Sequence, residues 1–496
     1  MYINDKILIA KNDEKECSIL PKMANRHGII TGATGTGKTT TVRVMAESFS
    51  AAGIPVFLAD VKGDISAMCE VGTANENITK RVQKLNLTDF EFDKFPVRFW
   101  DIYGINGHHI HSNVDSFSAT LFSRVLELSE AQEGILNIAL KIAKDEDMRV
   151  IDFLDLKVLL AYIDEHKDEY IKLYGNITSQ SIATIQRKLL EFENSGAEIF
   201  FGEPELDLTN LRKYNPQNGY GYINVLDATE LSKDYNMYST FMLWLLNKLY
   251  DEMPEVGDSN KPKLVVFIDE AHLLFDEMNS SMLKKITQIV KLIRSKGIGL
   301  YFISQSPSDI PEDILSQLGN RIQHNLKAYT PQEMKSVKAA AQSFRTNDKF
   351  DTEQAILELS TGEALVSFVN EEGQPEVVER AFILPPQSQM GVIDDITRKN
   401  IIDSSEFKNI YDIDINTESA NEIIEKIKEE EAIEQKQIEE KEAKEKKELA
   451  EKKEKEKKVK TKKTSRTEKA VNTAVNRVAS TLGNKIGNQI WKNLFK

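Results

Sequence analysis

The chain is poor in cysteine, with two in 496 residues, Cys17 and Cys69. Two cysteines are too few for a disulfide framework, and neither lies in a spacing typical of metal ligands. Long hydrophobic runs are also missing. No apolar stretch approaches the roughly 18 residues that a bilayer-spanning helix needs, and no signal-peptide pattern is present. These absences predict a reduced, cytoplasmic protein without a transmembrane segment.

An excess of positive charge is absent as well. The chain has 64 Lys and Arg residues against 78 Asp and Glu, a formal net charge of −14. Bulk electrostatics therefore do not favour binding to a polyanion, although a ring-shaped translocase can place its basic residues inside a pore. The apolar share of 41% and the charged share of 29% are typical of a globular protein. The length has room for roughly three domains.

A phosphate-binding loop is the strongest motif that is present. Residues 27–40 read HGIITGATGTGKTT, in which Gly32 to Thr39 fit the pattern G-x-x-x-x-G-K-[ST]. A short apolar run before the loop predicts a strand, and helical spacing follows it, which is the context that this motif requires. An accidental glycine-rich turn is the weaker alternative. The predicted nucleotide-binding residues are Gly32, Ala33, Thr34, Gly35, Thr36, Gly37, Lys38, Thr39 and Thr40.

The loop chemistry predicts ATP and Mg²⁺ as ligands. Glycines allow consecutive backbone N–H groups to point at the α- and β-phosphates. We expect Lys38 to pair with the β- and γ-phosphates and the Thr39 hydroxyl to ligate Mg²⁺.

Two adjacent acids follow a second buried run. The segment 264–270, LVVFIDE, predicts a strand that ends in Asp269 and Glu270. Alone, it is equally well a buried strand capped by charges. Beside a phosphate loop, we expect Asp269 to hold Mg²⁺ through its water shell and Glu270 to polarise the attacking water. A glutamate directly after the aspartate favours a hydrolysing ATPase over a passive switch.

Three further residues are candidates from position alone. Gln305 follows the predicted strand GLYFIS, where it contacts the γ-phosphate or is an ordinary loop amide. Arg294 and Arg321 are candidate arginine fingers, which stabilise transition-state charge across a subunit boundary. The alternative for each is a surface arginine. The run His108, His109 and His111 suggests zinc, but without a nearby cysteine or acidic cluster a polar loop is the favoured interpretation.

Strands alternate with helices along most of the chain, which predicts an α/β fold with a mostly parallel sheet. Between about 113 and 200 the pattern is wholly helical. The predicted division is 1–112 for the first part of the core, 113–200 for a helical insertion, 201–390 for the second part of the core, 391–417 for a linker, 418–465 for a Glu/Lys-rich spacer and 466–496 for a basic amphipathic helix.

The spacer cannot bury enough apolar surface to fold alone, so it is a solvated single helix or disordered. Its apolar positions do not keep a heptad, which disfavours a coiled coil and favours a flexible spacer. The terminal helix pattern fits docking on a partner, on the same protein or on an anionic membrane. Docking on protein is favoured over docking on a membrane.

Several blocks in order carry a family resemblance: GATGTGKT, DVKGD, FWDIYG, QEGILNIA, YGNIT, IQRKLL, FFGEP, LVVFIDEAHLLF, LIRSKGIGLYFISQSPSDIP, LGNRIQH and LSTGEALVSF. Across residues 1–386 the chain resembles the YjgR-type branch of the HerA/FtsK group of ring-forming ATPases. The resemblance implies a RecA-like P-loop NTPase core with an α-helical insertion, followed here by a charged tail that is helical or disordered.

The same resemblance implies a homo-hexamer with ATP bound between subunits. By motif position, Lys38 and Thr39 match the phosphate and magnesium residues, and Asp269-Glu270 the catalytic acids. Gln305 matches the polar residue of the next strand, and Arg294 is favoured over Arg321 as the arginine acting in trans. Better-known members pump duplex DNA, often beside a nuclease. This chain has too few residues before Gly32 for the β-barrel with which HerA proper engages its nuclease.

The leading hypothesis is therefore a hexameric Mg²⁺-dependent ATPase motor, a helicase or translocase acting on DNA. The second is a regulatory or scaffold ATPase whose nucleotide state controls an unknown protein partner through the C-terminal helix. A small-molecule kinase is a third, and the adjacent acids disfavour it because they suit attack by water.

Overall fold

The computed structural model describes residues 1–459 apart from positions 195, 258, 276, 277, 279 and 414. The helix predicted over 466–496 lies outside the described residues. Met1–Ile424 forms one compact unit, and the chain from Glu425 belongs to a second. The predicted core segments and the predicted insertion are thus parts of a single unit.

The described strands join in one thirteen-stranded sheet. Their bounds are β1 Tyr2–Ile3, β2 Lys6–Lys11, β3 Glu16–Ile19, β4 Gly28–Thr31, β5 Val56–Asp60, β6 Val97–Asp101, β7 His108–His109, β8 Ile223–Asp227, β9 Leu264–Ile268, β10 Ile298–Ser304, β11 Asn320–Gln323, β12 Glu363–Ser367 and β13 Glu379–Ile383. The order is β1-β2-β13-β12-β11-β4-β10-β9-β5-β8-β6-β7, with β3 paired to β2.

Helices connect and cover these strands. Their bounds are α1 Lys38–Ala51, α2 Glu76–Lys84, α3 Ala119–Val125, α4 Glu130–Asp145, α5 Phe153–Glu165, α6 Lys167–Tyr174, α7 Ser179–Glu193, α8 Leu208–Leu211, α9 Tyr235–Glu252, α10 His272–Phe275, α11 Ser280–Leu292, α12 Glu312–Leu315, α13 Pro331–Gln342, α14 Thr352–Glu358, α15 Asp395–Ser404, α16 Lys408–Tyr411 and α17 Ala420–Val459.

The sheet has a parallel and an antiparallel part. From β11 through β4, β10, β9, β5, β8 and β6 to β7, neighbouring strands are parallel. Every residue of β5, β6, β8, β9 and β10 is buried, as helices on both faces of a parallel sheet require. Beyond β11 the sheet continues with the antiparallel strands β12, β13 and β2. The fold class predicted from the sequence is confirmed.

Strand β13 escaped the sequence patterns. The segment ERAFI of β13 has only two fully buried residues, Ala381 and Ile383, and its charged residues hide the apolar signal. Its place between β12 and β2 is set by long-range pairing, which a local pattern does not contain.

The helical insertion is anchored to the sheet through aromatic rings. Phe153 and Phe201 have ring centroids 4.5 Å apart, and Phe200 meets Trp244 of α9 edge-on at 5.1 Å. Because α9 itself lies among buried residues over most of its length, the insertion shares a core with the rest of the unit. This packing explains why the insertion is not a separate domain.

The chain continues to pack well beyond Pro386, where the sequence suggests that the fold closes. The segment predicted as a linker contains α15 and α16 and buries Phe407 and Tyr411. Phe407 lies 5.2 Å from Trp100 of β6, and the Tyr411 hydroxyl accepts a 2.7 Å hydrogen bond from Asn210. The segment around α15 and α16 therefore packs on the side of the sheet that ends in β6 and β7.

The Glu/Lys-rich run is helical. Helix α17 extends over 40 residues, and its described side chains beyond Ile424 are mostly exposed. As far as Val459 the structure shows the solvated single helix rather than the flexible spacer that the sequence favours. No described helix combines the length and the apolar character needed to cross a bilayer.

The three histidines are not in a polar loop, so that interpretation of the sequence was wrong. His108 and His109 form β7, and His108 is buried with its Nδ1 atom 3.2 Å from both carboxylate oxygens of Asp412. The ring centroids of His109 and His111 lie 3.6 Å apart, with the ring planes tilted by 46°. Among the described residues there is no group of three metal-ligating side chains, at these histidines or elsewhere.

Helix α1 holds the chain that follows β13. The buried carboxylate of Glu47 accepts hydrogen bonds from the backbone N–H groups of Gln387 (2.8 Å) and Ser388 (3.3 Å), and from the Ser388 hydroxyl. Arg43 of the same helix donates to the Gln389 carbonyl and to the Asp64 carbonyl. A buried acid with several donors stabilises the fold only while those donors stay paired.

We predict that Glu47→Ala lowers the free energy of unfolding by about 3 kcal/mol, because the substitution leaves buried donors unpaired beside Arg43. Chemical denaturation followed by circular dichroism measures the change. Glu14→Ala, at an exposed glutamate, is the control and should stay within about 0.5 kcal/mol of wild type. Equal effects of the two substitutions would contradict this account of Glu47.

Candidate functional site

The phosphate loop lies between β4 and α1, as the sequence predicts. Gly35 and Gly37 have φ angles of +80° and +114°, which glycine adopts without steric cost. Gly37 also packs closely against Gly362. A Cβ atom added to Gly37 would lie 3.3 Å from the Cα atom of Gly362. The loop therefore needs glycine at position 37 for both its backbone conformation and its neighbour.

The Lys38 side chain folds over the loop. Its Nζ atom donates to the Gly32 carbonyl at 2.5 Å and lies 3.4 Å from the Ala33 carbonyl. Burial lowers the pKa of Lys38, while the nearby charges of Glu270 and Asp269 act in the opposite direction. The ammonium group is thus close to both predicted acids and to the loop backbone.

His324, directly after β11, packs against the loop at Gly32. Its Nδ1 atom lies 3.1 Å from the Glu363 carbonyl and its Nε2 atom 2.8 Å from the Thr41 hydroxyl. A carbonyl only accepts, so Nδ1 carries the proton and Nε2 accepts from Thr41. Burial lowers the pKa of His324 to about 4, so the ring stays neutral near pH 7. A Cβ atom on Gly32 would come within 2.5 Å of the His324 Cβ.

Sequence reasoning missed this role of His324. The segment RIQH predicts only a strand, and a single histidine at a strand end carries no signal of its own. The contact with Thr41 depends on β11 lying beside β4, which is a long-range feature of the sheet.

Asp269 and Glu270 follow β9 at the same edge of the sheet. The Glu270 N–H donates to Asp269 Oδ1 at 2.9 Å, and the Tyr238 hydroxyl donates to the Asp269 carbonyl at 2.6 Å. Burial raises the pKa of Asp269 to about 6, and the Glu270 charge adds to that rise. Glu270 has a φ angle of +45°, which is strained for a residue with a side chain and is common at functional sites.

A cavity of about 270 Å³ unites the loop with the acids. The predicted residues that line it are Gly35, Gly37, Lys38, Thr39, Thr40, Asp269 and Glu270. They come from the loop before α1, from the first turn of α1 and from the chain just after β9. The geometry therefore brings Lys38 and both acids around one space.

Asp60, at the end of β5, is a third carboxylate in this cavity. It is buried, and its Oδ2 atom accepts from the Ile65 N–H at 3.0 Å. Within the described chain its Oδ1 atom has no hydrogen-bond partner. Burial raises the pKa of Asp60 to about 6. The sequence block DVKGD begins with this acid, but no site role was predicted for it.

The donor set fits a magnesium ion. The Thr39 hydroxyl and the Asp269 carboxylate both line the cavity, and both are hard oxygen donors. Mg²⁺ usually takes one or two protein oxygens together with water and phosphate oxygens, so two protein ligands are enough.

Three other predicted residues, Gln305, Arg294 and Arg321, do not line this cavity. Gln305 is exposed just after β10, and its carbonyl accepts from the Gly32 N–H at 3.2 Å. Arg294 precedes β10 and therefore lies at the opposite edge of the sheet from the loop. The Arg321 guanidinium donates to the Leu315 and Leu318 carbonyls at 2.9 and 3.0 Å, which ties it to the end of α12. Roles of these residues in catalysis stay predictions.

We predict that Asp269→Asn stabilises the nucleotide-free protein at pH 8 by about 2 kcal/mol. Burial raises the pKa of Asp269 from 3.8 to about 6 in the folded protein. The protonated carboxyl group therefore stabilises the fold fully below pH 3.8, and this stabilisation is lost as the pH rises through 6. Asparagine removes that loss and keeps an oxygen for the Glu270 N–H.

Denaturation curves of both proteins between pH 4 and pH 8 measure the effect, and the two should converge near pH 4. Asp13→Asn, at an exposed aspartate, should show no such trend. A variant that is less stable than wild type at pH 8 would contradict the assigned cause.

The chain is similar in sequence to known proteins. A family model described as "Helicase HerA-like C-terminal" matches residues 5–496. The DNA double-strand break repair helicase HerA of Sulfurisphaera tokodaii is 25% identical over 71% of this chain, and that of Saccharolobus solfataricus is 24% identical over 72%. The chain spans 64% of the length of each of these two relatives.

Two solved structures are similar at low scores. The bacterial conjugative coupling protein TrwB aligns with a TM-score of 0.48 at 13% identity, over 74% of this chain and 86% of its own. VirB4 of Thermoanaerobacter pseudethanolicus aligns with a TM-score of 0.47 at 15% identity, over 76% and 96%. At such scores no ligand or activity follows from either structure. The resemblance to the HerA/FtsK group is confirmed by the family match, and the chain belongs to the helicase HerA-like C-terminal family.

Proposed function

We propose that this protein is a Mg²⁺-dependent ATP hydrolase of the HerA type. One observation carries the proposal: Lys38, Thr39, Asp269 and Glu270 line a single cavity at the carboxyl edge of the sheet. A lysine-bearing loop binds a triphosphate, and a carboxylate beside it activates water. The adjacent position of the two acids favours water over an alcohol as the nucleophile.

The residues of the site have separate roles in this reaction. The backbone N–H groups of the loop and the Lys38 ammonium hold the β- and γ-phosphates and offset their charge. Glu270 accepts the proton of the attacking water, and His272, 3.5 Å from its carboxylate, adjoins it. Thr39 and Asp269 would hold Mg²⁺, which would neutralise charge on the phosphate oxygens.

We further propose a ring-forming motor that acts on DNA. The support is the family and the name of its relatives, which are DNA double-strand break repair helicases. In a homo-hexamer, Arg294 is the favoured arginine for the site of a neighbouring subunit. Its place at the sheet edge opposite its own loop suits action in trans and excludes action in cis.

The alternative is a scaffold ATPase whose nucleotide state controls a protein partner through the tail. The length and exposure of α17 favour keeping this alternative, because 40 residues of solvated helix offer a long surface to a partner. The two proposals share the ATPase site and differ in what hydrolysis drives.

We predict that Lys38→Ala and Glu270→Gln each lower the rate of ATP hydrolysis at least about 100-fold. Only Lys38→Ala should also weaken nucleotide binding, because glutamine at position 270 removes the base and keeps the side-chain volume. Phosphate release and equilibrium binding of Mg·ATP measure the two effects. Glu165→Gln, on α5 outside the cavity, is a matched control and should behave as wild type. Hydrolysis that survives Glu270→Gln would refute the assigned base.

We predict that duplex DNA at low salt stimulates hydrolysis and that the stimulation falls as salt rises, because the contacts are to phosphates. Turnover with and without DNA, beside a mass measurement of the assembly, tests the motor and the hexamer.

Truncation after Ile424, where the first unit ends, separates the alternatives. A motor keeps its stimulated hydrolysis in the truncated chain, whereas a scaffold loses its partner. No change in turnover with DNA would exclude the motor and leave the ATPase standing.

A further inference from the structure

Four aspartates lie at the carboxyl ends of four neighbouring parallel strands. They follow the strand order β9-β5-β8-β6 and are Asp269, Asp60, Asp227 and Asp101. We call these four residues the aspartate row. Neighbouring strands of a sheet lie about 4.8 Å apart, so each acid of the row is close to the next.

The register of the strands keeps the row level. Asp60 of β5 is paired directly with Asp227 of β8. The register of β6 and β8 pairs the residues just before Asp101 and Asp227, and that of β5 and β9 pairs the residues two positions before Asp60 and Asp269. Level residues of parallel strands point to the same face of the sheet, so the four carboxylates form one line of negative charge.

The row crosses the border of the cavity that Lys38 lines, which we call the nucleotide cavity. Asp269 and Asp60 line this cavity, whereas Asp227 and Asp101 lie outside it. Mg·ATP carries a net negative charge, so an uncompensated acid beside the cavity opposes its binding. Asp227 is the first acid outside the cavity, and its charge therefore needs a partner.

Arg398 of α15 supplies that partner. Its Nη1 atom lies 3.1 Å from Asp227 Oδ2, and the exposed fractions of the two side chains are 11% and 9%. The same nitrogen donates to the Asn106 carbonyl at 3.2 Å, and the guanidinium carbon lies 4.8 Å from the ring centroid of Phe99. The other carboxylate oxygen of Asp227 accepts from the Thr229 hydroxyl at 2.6 Å. The ion pair is therefore nearly buried and held on both sides.

The charge of Asp227 acts on both neighbouring acids. Burial raises the pKa of Asp60 and of Asp101, and in each case the negative charge of Asp227 adds to the rise. Asp101 accepts hydrogen bonds of 2.8 to 2.9 Å from three backbone N–H groups, which stabilise its charge locally. Asp60 has an oxygen without a hydrogen-bond partner in the described chain, so it is the acid that feels a change at Asp227 within the cavity.

We propose that Arg398 is a positioning residue of the nucleotide site, which holds and neutralises Asp227 so that the cavity accepts the anionic Mg·ATP. The proposal rests on the proposed ATPase function and adds a charged group outside the cavity on which nucleotide affinity depends. It also gives α15 a role at the site, although no residue of α15 lines the cavity.

Substitutions at the two partners test the proposal through the sign of their effects. At pH 8 and low salt, Arg398→Gln leaves the Asp227 charge uncovered and should weaken binding of Mg·ATP about fivefold. Asp227→Asn leaves the Arg398 charge uncovered and should strengthen binding about fivefold. The double variant should return to within about twofold of wild type. Equilibrium binding of a fluorescent, non-hydrolysable ATP analogue with Mg²⁺ to the full chain measures these affinities.

Binding of Mn²⁺ without nucleotide separates this role from a general loss of structure. An uncovered negative charge attracts a cation, so Arg398→Gln should bind Mn²⁺ at least as tightly as wild type in electron paramagnetic resonance titrations. A disrupted site would bind both ligands more weakly. The difference in Mg·ATP affinity between Arg398→Gln and wild type should also shrink as salt rises.

Arg98→Gln is the matched control. Arg98 lies near the start of β6, away from the aspartate row, and its 2.7 Å ion pair with Glu406 also holds the chain next to α15. This variant should keep the Mg·ATP affinity within about twofold of wild type. Weaker Mg·ATP binding in both Arg398→Gln and Asp227→Asn, or unchanged binding in both, overturns the proposal. A wild-type chain that does not bind Mg·ATP refutes the ATPase function itself, which is a different outcome.

Discussion

The alignment of four parallel strands, β4, β10, β9 and β5, is the constraint on which the site depends. In their register Ser304 is level with Thr31, and Phe302 with both Ile29 and Ile268. All four strands therefore end at one edge. The loop, the two acids and Asp60 follow directly at that edge, and the Gly32 N–H reaches the Gln305 carbonyl across it. A shift in register would separate the lysine from the acids even though every local motif stayed intact.

Charge at this edge comes at a cost in stability. Burial lowers the pKa of Lys38 and raises those of Asp269 and Asp60, so each group is held where its charged form is disfavoured. Glu270 adds a strained backbone conformation. Such features persist because the surrounding sheet is rigid, with every residue of β9 and β10 buried. The core stabilises a site that is itself unfavourable.

Much of the fold and the centre of the site could be predicted from the sequence because the signals are local. A loop of fixed spacing, a buried run that ends in two acids and alternating strands and helices each lie within about 15 residues. Where a residue's surroundings come from distant chain, the sequence was silent or wrong. His108 meets Asp412, and His324 meets Thr41, through contacts that no short pattern encodes.

Helix α1 connects the phosphate site to the part of the chain that sequence patterns left unassigned. Its first turn carries Lys38 and Thr39, and its next turns carry Arg43 and Glu47, which bind residues 387–389. A helix of 14 residues, buried along most of its length, moves as a rigid body. A displacement of its first turn would therefore also displace the 387–389 segment, which leads into α15 at the far edge of the sheet. Direct contacts of α1 thus connect the loop after β4 to residues 387–389.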